Sequence, residues 1–114
     1  MLREACLIMP RHDNDGADLT DEHTSLAKDL SLLAGGVTMR ECSGVWFDGN
    51  KLVFDNNIEY TVALPQEGEV LREFERICLE YGARCRQHAV YYRLPDGTAV
   101  IKETGWKPEQ RVHH

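Results

Sequence analysis

The fold is decided by the segment Glu67–Gly82, which reads EGEVLREFERICLEYG. Its apolar side chains recur at steps of three and four residues: Val70, Leu71, Phe74, Ile77, Cys78 and Tyr81. Glutamate and arginine fill most of the other positions, so the pattern predicts an amphipathic helix over residues 67–82 with one buried face. Gly82 is a residue type that often ends helices, and we expect the helix to stop there.

Strand patterns flank this helix. Residues 58–64 alternate between larger apolar and smaller or polar side chains and end at Pro65, and residues 88–94 alternate in the same way. A Pro-Asp-Gly sequence at 95–97 then predicts a turn into a last strand over 98–102. The central helix therefore connects two strands, the second of which continues into a hairpin.

The first half of the chain repeats this order. Residues 4–9 are apolar on both alternating sets, as in a strand at the centre of a sheet. Leu19 to Leu33 have helical spacing, with Thr20 as the expected cap and Gly35-Gly36 as the expected end. Residues 37–54 predict a hairpin that turns at 48–50, with a bend or bulge near Ser43-Gly44, and a further turn is expected at 55–57.

The order of these elements predicts an α+β fold, a ferredoxin-like split βαβ sandwich. We expect an antiparallel sheet with two helices on one face and extra hairpins, and the strands before the two helices at its centre. The 114 residues predict a single domain over 1–102, followed by a polar tail over 103–114 in which His113 and His114 carry no functional argument.

Composition limits the class of partner. The formal charge of −6 argues against nucleic acid and against an anionic membrane surface. The longest apolar stretch near the start, Ala5–Met9, is far too short for a membrane span or a signal peptide, so we expect a cytoplasmic protein. The four cysteines form no Cys-x-x-Cys pair, and free thiols are expected.

Two groups of residues are candidate reaction centres. The loop over 11–22 places Asp13, Asp15, Gly16 and Glu22 at calcium-loop spacing, but Arg11 occupies the first ligand position, so no metal site is expected. Cys85 and His88 lie three residues apart without a third group to orient the histidine, so no catalytic residue is assigned. No cofactor motif is present, and no cofactor is expected.

The sheet face opposite the helices is the predicted ligand or partner face. Its candidate residues are Trp46, Ala63, Ala89, Tyr91 and Arg93, with Cys42 and Thr61 beside them. A contiguous apolar patch of this kind is usually covered by a ligand, another protein or a second copy. We therefore expect a homodimer formed through this face.

Two stretches resemble a group of small bacterial, phage and prophage proteins, many of them uncharacterised. The first is Gly44-Val45-Trp46-Phe47-Asp48-Gly49. The second runs from Tyr81-Gly82 to Gln87-His88-Ala89-Val90-Tyr91-Tyr92 and on to Asp96-Gly97-Thr98-Ala99. The resemblance covers about residues 37–102 and implies a ferredoxin-like fold and a mobile-element origin. It transfers no catalytic residue.

The functional hypothesis is a non-enzymatic binding protein that acts on a protein or a small ligand through the open sheet face and the loop over residues 11–18. One alternative is a small dimeric α+β barrel enzyme, cofactor-free or haem-using, with a pocket on the sheet face served by His88, Tyr91 or Trp46. Another is a nucleotide-binding or small-anion-binding protein, which requires Arg40, Arg93 or Lys102 to be gathered around a cavity.

Overall fold

The computed structural model describes residues 1–108 of the chain, and His113 and His114 lie outside them. Within these residues, five strands and two helices follow one another as β1 (Leu2–Pro10), α1 (Thr20–Ala34), β2 (Thr38–Phe47), β3 (Leu52–Pro65), α2 (Glu69–Arg84), β4 (Ala89–Arg93) and β5 (Ala99–Glu103). The strands form one antiparallel sheet in the order β2-β3-β1-β4-β5. The predicted α+β, ferredoxin-like class is confirmed, with β5 added at the edge beside β4. As predicted, β1 and β3 are interior strands.

The core lies between the sheet and both helices. Leu7 of β1 pairs with Tyr60 on one side and Tyr92 on the other, so these three side chains share the face that meets the helices. Phe74 of α2 is fully buried there and contacts the Tyr92 ring edge-on, with 6.1 Å between centroids. The predicted apolar stripe of α2 is therefore the one that closes the core. No helix among residues 1–108 is both long and apolar enough to cross a membrane.

The predicted end of the second helix is wrong. α2 continues through Gly82 to Arg84, and the chain reverses at Arg86, whose φ of 58° lies in the left-handed region. Gly82 serves packing instead, because a Cβ atom at this position would lie 2.3 Å from Cγ1 of Val90. The glycine therefore lets α2 approach β4 closely.

The expected turn at 55–57 and the bulge near Ser43-Gly44 are also wrong. β3 is one uninterrupted strand, and its register with β2 is constant from Thr38↔Thr61 to Phe47↔Leu52. Asn57 is buried within this ladder, and a Cβ at Gly44 would approach its Nδ2 atom to 3.0 Å. The glycine thus leaves room for the Asn57 side chain, and strand pairing overrides the turn preference of Asp and Asn.

The first helix ends as predicted but begins differently. Gly35 has a φ of 83° and donates its N–H to the Ser31 carbonyl. The N-cap is the buried Leu19, and Thr20 donates its hydroxyl to the Asp18 carboxylate without capping the helix.

The boundary between the domain and the polar tail, expected after residue 102, stays a prediction. Thr104, just beyond that boundary, donates its hydroxyl to the Gln87 carbonyl at 2.5 Å.

Candidate functional site

The ends of β2 and β3 project beyond the rest of the sheet. β1 stops at Pro10, which pairs with Asn57, and only β2 and β3 continue past this point. We call residues 43–56 the arm. At its tip, the Asp48 carboxylate accepts the N–H groups of Asn50 and Lys51 and closes the turn. Large apolar side chains are exposed on the arm: Val45, Trp46, Phe47, Leu52 and Phe54.

The loop over residues 11–18 faces the arm and is held by one carboxylate. Asp13 accepts the N–H groups of Asp15 and Ala17 on Oδ1 and the Nε–H of Arg86 on Oδ2, the last at 2.6 Å. Its side chain is only 5% exposed. The hydrogen bond from Arg86, together with those from the backbone, holds the pKa of Asp13 below its ordinary value. Both oxygens of Asp13 are thus engaged within the protein.

A polar cleft of about 410 Å³ lies between this loop and the arm. The loop contributes His12, Asp13 and Asn14, and the arm contributes Trp46, Asp55 and Asn56. Clefts of this size accommodate small organic ligands. Because Asp13 is neutralised by Arg86, Asp55 is the carboxylate in the lining without a basic partner among the described residues.

Trp46 and Asp55 are joined within this cleft. Gly44 lies directly opposite Asp55 in the β2–β3 ladder, and Trp46 lies opposite Val53, so Trp46 and Asp55 are diagonal neighbours on one face. The indole Nε1–H donates to Oδ2 of Asp55 at 3.0 Å. Trp46 is 52% exposed, and Asp55 is also exposed. The pair therefore offers an aromatic face and a carboxylate to the same space.

A second cleft, of about 360 Å³, lies on the other side of the loop. It is bounded by Arg11 and Asp18 of the loop, His23 and Ala27 of α1, and Ile58 of β3. His23 is buried, and its Nε2–H donates to the Pro10 carbonyl at 2.8 Å. Because the carbonyl can only accept, Nδ1 of the neutral ring accepts a hydrogen bond from the Tyr60 hydroxyl. Burial raises the pKa of Tyr60. Since both ring nitrogens are engaged, this histidine ties α1 to the sheet.

The predicted face residues lie on the side of the sheet away from the helices, but they do not form one patch. Tyr91 is half-buried opposite Ile8, and the exposed Arg93 lies opposite Cys6 and donates to its sulfur at 3.1 Å. Ala63 and Ala89 are exposed at opposite ends of this face. Trp46 lies on the arm, about 30 Å from the Ala63 position along the strand direction. The role of this face stays a prediction.

The basic and thiol residues considered for anion binding or catalysis lie away from the two clefts. Arg40, Arg93 and Lys102 line neither of the two clefts. Cys85 is fully buried at the end of α2, and burial raises its pKa to about 11, so the thiol stays protonated at neutral pH. His88 packs against Trp106, with 4.9 Å between the ring centroids. Cys85 and His88 are therefore not arranged as an activated nucleophile and base.

Sequence reasoning does not find Asp55, because the Asp-Asn-Asn run at residues 55–57 predicts a turn. The signal that places it was nevertheless present, since a hairpin that turns at 48–50 and keeps its register puts residue 55 opposite residue 44. The Gly44-x-Trp46 motif then brings the indole diagonally next to that carboxylate.

Comparison with known proteins gives a likeness at the level of fold. No family model matches the chain, and no curated protein matches it. A solved structure of a phage SAM lyase in the apo state is similar with a TM-score of 0.60 and 13% identity, over 92% of this chain and 91% of that one. A phage SAM lyase in complex with S-methyl-5′-thioadenosine is similar with a TM-score of 0.59 and 16% identity, over 92% and 83%.

These comparisons correct the functional hypothesis. The resemblance to small phage proteins of α+β fold is confirmed at that coarse level. The hypothesis of a non-enzymatic binding protein is wrong, because the similar structures are those of an enzyme, and they favour the enzyme alternative. One of them binds a small ligand. The chain thus shares its fold, over nearly its whole described length, with a small phage enzyme.

Proposed function

We propose that this protein is a small enzyme of phage or mobile-element origin that cleaves S-adenosylmethionine (SAM) in the cleft between the loop and the arm. The observation that carries the proposal is the cleft itself, in which the exposed Trp46 indole and the Asp55 carboxylate face about 410 Å³ of space. The shared fold with a phage SAM lyase supports the reaction class. The proposal places the protein in the cytoplasm.

The charge of the protein suits this substrate. SAM carries a sulfonium and is a net cation at neutral pH, whereas this chain has a formal charge of −6. An acidic surface raises the local concentration of a cationic ligand and accelerates its encounter. The polar lining of the cleft is also neutral or acidic, because the carboxylate of Asp13 compensates the positive charge of the nearby Arg86.

The chemistry follows from comparing SAM with S-methyl-5′-thioadenosine, the ligand in one of the similar structures. The thioadenosine lacks the four-carbon amino-acid chain, so the bond between sulfur and that chain must break with both electrons going to sulfur. The four-carbon fragment either loses a proton to a base and becomes an alkene, or its own carboxylate oxygen bonds to the carbon that the sulfur leaves and forms a lactone. The sulfonium is already a good leaving group, so the cleft has mainly to bind and orient the substrate.

A turnover assay tests this proposal. Purified protein is incubated with SAM, and the formation of S-methyl-5′-thioadenosine is followed by chromatography and mass spectrometry. We expect turnover by the wild type and its loss in Asn14→Trp, which places a large side chain at the exposed Asn14 position of the lining. Asn50→Trp, at the exposed tip of the arm, is the matched control and should remain active. Wild-type protein that leaves SAM intact would contradict the proposal.

We also propose that the protein self-associates through the open sheet face. Tyr91 and Ile8 are only half-buried in a single chain, and Ile101, the partner of Tyr91 on β5, is 77% exposed. Pairing this face with its copy in a two-fold dimer would remove apolar surface from water. Ile8, Tyr91 and Ile101 do not line the cleft, so self-association through them and cleavage can be tested independently.

A further inference from the structure

We propose that Trp46 and Asp55 form a subsite that recognises the positive charge of a sulfonium, so that the cleft distinguishes a cationic nucleoside from the neutral thioether that remains after cleavage. This inference rests on the proposed function, because it assigns one group of the substrate to one pair of side chains. It adds a specificity determinant that the fold likeness does not supply.

The local geometry gives the first reason. The hydrogen bond from the Trp46 indole to Oδ2 of Asp55 fixes the carboxylate beside the aromatic ring at 3.0 Å. No lysine or arginine side chain among residues 1–108 lies within ion-pair distance of Asp55. Its charge is therefore free to meet a ligand, whereas the charge of Asp13 is compensated by Arg86.

The chemistry of the two groups gives the second reason. An indole face attracts a cation through its ring quadrupole, and a carboxylate attracts it by charge. Both attractions act on a sulfonium and neither acts on a neutral thioether. Loss of the positive charge in the reaction thus weakens binding at this subsite, which favours release of the nucleoside product.

The exposure of Trp46 gives the third reason. An indole that is 52% exposed on a two-stranded ribbon leaves apolar surface in water, which a bound ligand would cover. Asp55 is exposed as well, so its carboxylate is accessible to the same ligand. The space at Gly44, opposite Asp55, is taken by the Asn57 side chain.

Two matched nucleosides test the inference. S-methyl-5′-thioadenosine is neutral, and 5′-deoxy-5′-dimethylsulfonioadenosine differs from it by one methyl group and one positive charge. Neither carries the four-carbon chain, so neither contains the bond that the enzyme is proposed to cleave. Calorimetry measures both affinities for the wild type, for Asp55→Asn, for Trp46→Leu, and for Glu67→Gln, which removes a charge at an exposed position outside the cleft.

The expected result is a preference of about tenfold for the sulfonium in the wild type, from the combined cation–π and charge attractions. Asp55→Asn and Trp46→Leu should each reduce the preference to about threefold, since each removes one of the two attractions. Glu67→Gln should leave it unchanged. Higher salt should reduce the wild-type preference, because salt screens the carboxylate.

The outcomes separate the two proposals. Equal affinity of the wild type for both nucleosides would overturn the sulfonium subsite while leaving nucleoside binding in place. A preference that survives undiminished in both Asp55→Asn and Trp46→Leu would overturn the assignment to this pair. Failure of the wild type to bind either nucleoside, together with failure to convert SAM, would overturn the proposed function and with it the subsite.

Discussion

Replacement of Gly82 by alanine tests the packing of α2 against β4. A Cβ at this position would lie 2.3 Å from Cγ1 of Val90 and 2.7 Å from Cγ2 of Thr104, whereas carbon atoms at rest lie about 3.5–4.0 Å apart. Val90 is 3% exposed and cannot turn into solvent. The added methyl group must therefore displace the buried Val90 side chain by about 1 Å and also move Thr104, at a cost of about 2–3 kcal/mol.

Helix propensity opposes this cost, since alanine is favoured over glycine in a helix interior by about 1 kcal/mol. We expect Gly82→Ala to lower the free energy of unfolding by about 1–2 kcal/mol, the difference between the two effects, and to lower Tm by about 5 °C. Urea and thermal denaturation measure both. Combining it with Val90→Ala, which removes the contacted methyl groups, should cost at least about 1 kcal/mol less than the sum of the single variants. A Gly82→Ala protein more stable than the wild type would refute this packing.

The remaining predictions concern the core, the loop and assembly. Phe74→Ala should cost about 3–5 kcal/mol in a denaturant titration, because Phe74 is fully buried, and a near-wild-type midpoint would contradict this. Asp13→Asn should lower the free energy of unfolding more at neutral pH than in acid. Arg86 lowers the folded-state pKa of Asp13, so its stabilisation is present above the unfolded-state pKa of about 4 and is lost as the pH falls through the lower folded value. A stability difference that instead grew in acid would contradict that sign. Tyr91→Glu should shift a dimer towards monomer in light scattering, and a wild type that is monomeric throughout the micromolar range would remove the dimer proposal.

Elements with strong periodicity could be predicted from the sequence. The apolar stripe from Val70 to Tyr81 indicated α2, and the low charge of Ala5–Met9 and Tyr60–Leu64 indicated the interior strands. These segments bury a continuous face, so their pattern follows the structure directly. The order of strands and helices along the chain allows only a few sheet topologies, and the ferredoxin-like topology is the one observed.

The features that could not be predicted from the sequence depend on contacts between segments that are distant along the chain. Gly82 has the residue type of a helix end, but its role is set by Val90 on another strand. Asp55 and Asn57 have the residue types of a turn, yet pairing with β2 keeps them in a strand. Asp13 has the residue type of a metal ligand, yet Arg86, more than seventy residues away, holds its carboxylate. The cleft was missed because it exists only when the loop and the arm are brought together.

The most direct test of the central claim is a nuclear magnetic resonance titration of the two tryptophan indole N–H signals with S-methyl-5′-thioadenosine. The chain has two tryptophans: Trp46, which lines the cleft and donates to Asp55, and Trp106, which packs on His88 elsewhere. The proposal predicts that the Trp46 signal shifts saturably while the Trp106 signal stays in place. An unchanged Trp46 signal at saturating nucleoside, or a shift confined to Trp106, would contradict the claim that the cleft beside the arm is the ligand site.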